Sequence, residues 1–420
     1  MKRRTLLAGA AALALALAGA LAGFLAAQAR CAGALERLPV GSPDGSAGSG
    51  GSAVAAGGEN GAGAALPALA EEPLRNVVLL VGDGMGLAQI AAAGIAAHGP
   101  SARLLFERFP TIGLVTTYAE GELITKSDAA ATALATGHKT RNGRVGSDAQ
   151  GRPMPTLLES LRDAGWATGL ATTSRITDAT PAAFATHVAS RRDEAAIAAD
   201  LSAARVDFLV GGGRSFFLPR RGAGAGRADG RDLTAEMRAR GVDVVADAAG
   251  LAAAARLPVA ALLAVEPQQA VPRSPTLAAI ADKALELLAG SGKPFFLMLE
   301  EEEIDTAAHA RDGRRMNAAV LRFDAAVAAA VEFAVRDRAT LVLVLADHAT
   351  GGLTIDARSS GKEMVLHWAG AQHSGEPVPV FAYGPPSAAS RFAGMHDNTE
   401  IPHLVAAALG VEFPRPPASD

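Results

Sequence analysis

The sequence predicts an α/β protein with a doubly wound, largely parallel central sheet, helices on both faces and a small insertion subdomain. From Leu74 onward, short apolar runs of strand type alternate with Ala-rich amphipathic segments, the rhythm of a sheet covered on both sides. Three of those runs, Val77 to Val81, Phe295 to Leu299 and Leu341 to Leu345, lead directly or within a few residues into acidic residues. In an open α/β sheet that edge, beyond the carboxyl ends of the strands, is where ligands bind.

Taken from the start of the chain, Lys2, Arg3 and Arg4 precede an apolar run from Leu6 to Ala27, and Ala27-Gln28-Ala29 is a small-x-small cleavage pattern. Residues 1–29 therefore read as a secretory signal peptide or, if uncleaved, as a membrane anchor, since the run nearly spans a bilayer. The expected location is periplasmic, extracellular or anchored on the outer side of a membrane. Residues 30–73, Gly-, Ser- and Ala-rich over most of their length, read as a flexible linker. The folded domain is expected over 74–412, with 413–420 as a tail and about 205–275 as an irregular insertion over one sheet edge.

Charge and cysteine content narrow the chemistry. A formal net charge of -4 over 420 residues, with no basic run beyond the N-terminus, gives no nucleic-acid-binding surface. Cys31 is the one cysteine, so intramolecular disulfides and multi-cysteine zinc sites are excluded. Any metal must be held by carboxylates, imidazoles and hydroxyls.

Several residues stand where such a site would form. Asp83 lies in the turn Gly82-Asp83-Gly84-Met85-Gly86, where it could meet a ligand or cap the next helix. Asp305 and His309 are spaced i, i+4, which puts both on one helix face, to share an ion or simply to pair. Asp347-His348 follows a fully apolar strand, where charge needs a partner. His373 sits in a loop before the apolar run Val378 to Tyr383. Ser127 opens a helix of small residues, either as its N-cap or as a nucleophile at a helix N-terminus that favours phosphate.

In this order the motifs resemble those of the alkaline phosphatase family over roughly residues 74–412. Gly82 to Gly86 is similar to the family's first ligand turn, and Ser127 through Thr140 resembles its nucleophile helix. Asp178-Ala179-Thr180-Pro181, with His187 and Arg191, resembles its magnesium and phosphate-arginine stretch. The resemblance implies one zinc held by Asp305, His309 and His373, and a second by Asp83, Asp347 and His348. It implies a magnesium at Asp83, Thr180 and Glu300, with Ser127 as nucleophile and Arg191 gripping phosphate. Two Zn2+ and one Mg2+ per chain, and small phosphomonoester substrates, follow from the same resemblance. A homodimer and N-terminal membrane attachment are both compatible with it.

The pattern departs at the nucleophile. Where the family commonly has an aspartate before the serine and a small residue after it, this chain has Lys126 and Asp128. Lys126 is expected to lose the aspartate's hold on Arg191 and to meet substrate phosphate, and Asp128 to add negative charge beside Ser127. Glu301 replaces a glycine after Glu300. Lys126, Asp128, Asp178 and His187 are thus expected around the site, modulating it. Two rivals remain: a phosphodiesterase of the same superfold, which would usually lack the Thr180–Glu300 pair, and a non-catalytic metal- or phosphate-binding exoprotein.

Overall fold

The computed structural model describes residues 34–41, 66–101, 103–222, 224–263 and 275–414. The strands, in chain order, are β1 (Ala34–Pro39), β2 (Asn76–Gly82), β3 (Thr111–Thr116), β4 (Ala167–Arg175) and β5 (Phe208–Gly212). Then come β6 (Asp243–Val245), β7 (Val259–Leu262), β8 (Phe295–Glu301), β9 (Thr340–Leu345) and β10 (Ala349–Thr350). The last are β11 (Leu353–Ile355), β12 (Glu363–Trp368), β13 (His373–Ser374), β14 (Val378–Tyr383) and β15 (Gly394–Asp397).

Ten of them form the central sheet, in the order β15-β3-β14-β9-β2-β8-β4-β5-β7-β6. Only β14 runs antiparallel to its neighbours. Residues Val77 to Val81, Phe295 to Leu299 and Leu341 to Leu345 are all buried, as strands covered on both faces must be. Two adjacent residues of β8 show the layering, because successive side chains point to opposite faces. Phe296 stacks on Phe184 of the helix Ala179–Ala185 at 6.0 Å. Phe295 meets Phe333 of the long helix Gly313–Asp337 edge-on at 5.7 Å. Each such ring, once buried, contributes roughly 1.5–3 kcal/mol.

Parallel register then lines up the carboxyl ends. Val81 of β2 is paired with Glu300 of β8 on one side and Leu345 of β9 on the other, and Thr172 of β4 is paired with Glu300. Continuing each strand brings Asp83 and Asp347 level with each other beside Glu300. A separate two-stranded ribbon pairs Thr350 of β10 with His373 of β13, bringing that histidine back over the same edge.

Two boundaries differ from the sequence reading. The segment 205–275 is not an insertion lying over the sheet: β5, β7 and β6 extend the sheet itself in parallel. They are short, and an Arg- and Gly-rich stretch separates β5 from β6, so their apolar signal is broken up. Nor is 30–73 linker throughout. β1 pairs along its whole length with β12, and Glu36 accepts a hydrogen bond from Gly313 N at 2.7 Å. Nearer the domain, Leu66 and Leu69 pack on the core, and Tyr383 Oη donates to Pro67 O at 2.7 Å. β1 buries only Leu38, so backbone pairing holds it and hydropathy does not mark it. Val411 and Phe413 also pack on the core, so the chain stays docked into the expected tail. The segment read as signal or anchor lies outside the described residues, among which no helix is long and apolar enough to cross a membrane.

A chain beginning at residue 60 should therefore melt several degrees below one beginning at residue 30, by circular dichroism. Equal melting temperatures would mean β1 adds nothing to the fold.

Candidate metal centre and active site

Asp83 follows β2 through a turn that only glycine accommodates. Gly84 has φ +70°, and a Cβ there would lie 2.7 Å from Asp305 Oδ1. Its amide instead donates to Asp347 Oδ1 at 3.1 Å. The turn thus folds directly against two other carboxylates.

Two groups of side chains, Asp83–Asp347–His348 and Asp305–His348–His373, each present ligand atoms within 4.8 Å of one another. His348 Nε2 lies 3.4 Å from Asp83 Oδ1 and 3.2 Å from Asp347 Oδ2. Its ring stacks on His373 at 3.6 Å. On the short helix Glu303–His309 the i, i+4 pair meets, with His309 Nε2 3.1 Å from Asp305 Oδ2 and 3.1 Å from His373 Nε2. His309 Nδ1 lies 2.7 Å from Ala371 O and His373 Nδ1 2.9 Å from Thr125 O. Nδ1–H donation to those carbonyls turns each Nε2 inward, and in the metal-free protein the hydrogen bond to Asp305 pushes His309 up to about 9, so its Nε2 carries a proton that a bound cation would displace.

The third expected group is also brought together. Glu300 is buried at the end of β8 and accepts a hydrogen bond from Thr172 Oγ1. Thr180 interacts with Glu300, and Asp83 Oδ1 and Asp347 Oδ2 are buried with no hydrogen-bond partner. Orphaned oxygens of this kind are costly. A cation bound among them would remove that cost.

Electrostatics points the same way. Burial, reinforced by Asp347, Asp305 and Glu300, raises the Asp83 carboxyl well above its usual range. Burial, then Asp305, pushes Asp347 up to about 7. Burial pushes Glu300 up to about 8 and, with Asp178 adding to it, Glu302 up to about 7. Burial and His373 hold His348 well below its ordinary pKa, so it is a neutral donor of electron pairs. Asp305 shifts the other way: burial raises its pKa, but the hydrogen bond to His309 and the charges of His348, His373 and His309 together outweigh it.

Ser127 is the first residue of the helix Ser127–Thr136, and Lys126 stands at the N-cap without a capping side chain. Ser127 therefore does not serve as the N-cap. Its Oγ lies 3.3 Å from His348 Nε2, at the meeting point of the two ligand groups. Across the cavity Arg191 is held on both arms: Nη1 at 3.2 Å from Asp128 Oδ2 and Nη2 at 2.7 Å from Asp178 Oδ1. Asp128 is fully buried and also accepts from Gly143 N at 2.6 Å. The negative charge expected beside Ser127 is thus turned toward Arg191 and that amide. Glu301, also outside the sequence pattern, is buried next to Arg322.

His187 does not line the cavity. Its Nδ1 is 2.6 Å from Gly146 O and its Nε2 3.1 Å from Glu159 Oε1, tying the stretch before Arg191 to a neighbouring helix. Reading by sequence missed Thr350, whose hydroxyl donates to Asp305, and Thr172. It also missed Asn142, whose Oδ1 accepts from Lys126 N at 2.8 Å. Isolated threonines and a loop asparagine carry no pattern that would single them out.

A profile of the family described as alkaline phosphatase matches residues 74–367 and 361–411. The chain belongs to the alkaline phosphatase family. It is 39% identical to the streptomycin-6-phosphate phosphatase of Streptomyces griseus, over 81% of this chain and 91% of that protein. It is 33% identical to the alkaline phosphatase of Escherichia coli K12, over 82% of this chain and 88% of that one. The solved alkaline phosphatase of the Antarctic bacterium TAB5 superposes with a TM-score of 0.73 at 31% identity, covering 81% of this chain and 99% of its own. The protein is thus a phosphoric monoester hydrolase of the alkaline phosphatase type.

The raised carboxyls set the pH response of the metal-free enzyme. Glu300 and Asp347 titrate near 8 and 7 when folded, against 4.5 and 3.8 ordinarily. Between about pH 4 and pH 8 the folded state therefore holds protons that the unfolded chain has released, and stability falls as pH rises. With chelator present, the melting temperature should drop from about pH 5 to pH 8, and added zinc and magnesium should raise it most at the upper end. A chelated protein that gained stability across this window would show that these carboxyls ionise freely.

Proposed function

We propose that this enzyme hydrolyses phosphate monoesters in two steps through a phosphoserine at Ser127, beside a site for two zinc ions and one magnesium ion. The observation that carries the reading is the convergence on His348: the Ser127 hydroxyl and the unpartnered oxygens of Asp83 and Asp347 all face it. Mixed nitrogen and oxygen donors, Asp305, His309 and His373 in one group and Asp83, Asp347 and His348 in the other, suit zinc. The all-oxygen set of Asp83, Thr180 and Glu300 suits magnesium. Bound there, the ions would neutralise the clustered carboxylates, favour the serine alkoxide and stabilise charge on the leaving oxygen.

The chain's own groups do the positioning. Ser127 gives up its hydroxyl proton to solvent and its Oγ attacks phosphorus; the Oγ–P bond forms as the ester P–O bond breaks, and the alcohol leaves with a proton from solvent. Water then attacks the phosphoserine and releases inorganic phosphate and the free serine. The open N–H groups at the start of Ser127–Thr136 favour negative charge at that spot. Arg191 offers the N–H bonds left over by its two carboxylates, and its planar fork matches two phosphoryl oxygens. Asp128 and Asp178 fix that fork and raise its pKa further against the pull of burial, so it stays cationic.

Ser127→Ala should lower kcat at least about a thousandfold on a chromogenic monoester and abolish the phosphoserine trapped by acid quench. Retained turnover would remove Ser127 from the nucleophile role. Asp128→Asn, which keeps an acceptor for Gly143 N but loses the charge, should raise KM and the inhibition constant of phosphate about tenfold. An unchanged phosphate affinity would mean Arg191 needs no help from Asp128. We also propose export, on the N-terminal segment: mass spectrometry of the expressed protein should find a chain lacking residues 1–29 outside the cytoplasm, and a cytoplasmic full-length chain alone would refute it.

A further inference from the structure

The cavity over Ser127 has a volume of about 460 Å3, within the range of small-molecule sites and more than a phosphoryl group alone requires. Its floor is the ligand carboxylates, Ser127 and Arg191; Glu122, Ile124, Lys126, Asn142 and Gln372 also line it. The rest of the substrate, beyond the phosphoryl group, has to lie against those latter residues.

Lys126 differs from the other cations there. Its backbone is pinned: N donates to Asn142 Oδ1 at 2.8 Å, Asn142 Nδ2 donates to Ile124 O at 3.0 Å, and Lys126 O accepts from Ala130 N at 3.0 Å. Its side chain is exposed and lines the cavity next to the nucleophile. Arg191 is committed to Asp128 and Asp178, and His309, which also lines the cavity, to Asp305. The Lys126 ammonium has no carboxylate or hydrogen-bond acceptor among the described residues, Glu122 included. The chain thus holds a rigidly based, uncompensated cation beside the reacting serine.

We infer that Lys126 is a specificity residue that binds a second anionic group on the leaving portion of the substrate. The substrate class it favours is phosphomonoesters carrying a carboxylate or second phosphate close to the ester oxygen. The inference rests on the reading of Ser127 as nucleophile, since it sets where the leaving group lies. A lysine ammonium is a compact point charge on a flexible stem, suited to anions at slightly varying positions in place of one fixed bidentate geometry. In a half-open site its attraction is screened by salt.

The test compares kcat/KM of the zinc- and magnesium-loaded enzyme on 2-phosphoglycerate, whose leaving group bears a carboxylate, glycerol 2-phosphate, whose leaving group is neutral, and phosphocholine, whose leaving group is cationic. Lys126→Gln should cut the ratio of 2-phosphoglycerate to glycerol 2-phosphate about tenfold, roughly one charge-assisted hydrogen bond. Lys126→Arg should preserve most of it, and added salt should lower it in the wild type and in Lys126→Arg but not in Lys126→Gln. A second readout is binding of phosphonoacetate against ethylphosphonate to the Ser127→Ala protein by calorimetry, where Lys126→Gln should weaken only the former. Equal losses on all three substrates would make Lys126 a general electrostatic or structural group and overturn the inference. So would a change confined to phosphocholine. Ser127→Ala separates the two readings: full activity in that variant would sink the nucleophile assignment, whereas an inactive variant with an unchanged Lys126→Gln ratio would sink this one alone.

Discussion

The structure is organised around a concentration of buried carboxylates, of which Asp83, Asp347 and Glu300 have no lysine or arginine ion pair among the described residues. Asp83, Asp347, Glu300 and Asp305 sit within one shell at the carboxyl edge of β2, β8 and β9, almost completely shielded from water. Arg191, which lines the same cavity, already serves Asp128 and Asp178. Isolated buried carboxylates are among the most expensive groups a fold can carry, and in practice they take up protons or find cations. The raised pKa values of Asp83, Asp347 and Glu300 are the signature of that unmet demand. Divalent ions would meet it, and their charge would also serve the reacting phosphoryl group.

Much of the architecture holds this unfavourable cluster in place. Gly84 permits the close approach of Asp305, the parallel register levels Asp83 with Asp347, and the β10–β13 ribbon carries His373 back over them. Apolar packing on both faces of the sheet supplies the stability that such a cluster consumes. Phe295 and Phe296 anchor opposite layers from adjacent positions on the very strand that delivers Glu300. A site with this much strain in its charges needs a rigid frame, and the central strands of a parallel sheet are the most deeply buried frame available.

Around Ser127 the same charge economy is met by a different distribution of residues from the family pattern. The carboxylate on Arg191 comes from Asp128, inside the first turn of the serine helix, which leaves the preceding position free for a lysine. Because Asp128 points into the protein and Lys126 out into the cavity, the two substitutions act on different things. One keeps a carboxylate on Arg191. The other changes what the cavity presents to the rest of the substrate.

The strand–helix rhythm, the placing of acidic residues after apolar strands and the i, i+4 pairing of Asp305 with His309 were all legible in the chain alone. Those features depend on local periodicity and on spacing within one element. The order of motifs likewise pointed to a metallophosphatase before any contact was known. Three things came only with the tertiary structure. β1 and the β5–β7–β6 edge belong to the sheets through backbone pairing, which leaves little trace in hydropathy when strands are short or bury one side chain. The partners of Asp128 were hidden because Arg191 and Gly143 approach it from distant stretches of chain. The freedom of Lys126 was hidden for the complementary reason: whether a charge is paired is a property of its surroundings, and a sequence names the charge without its neighbours.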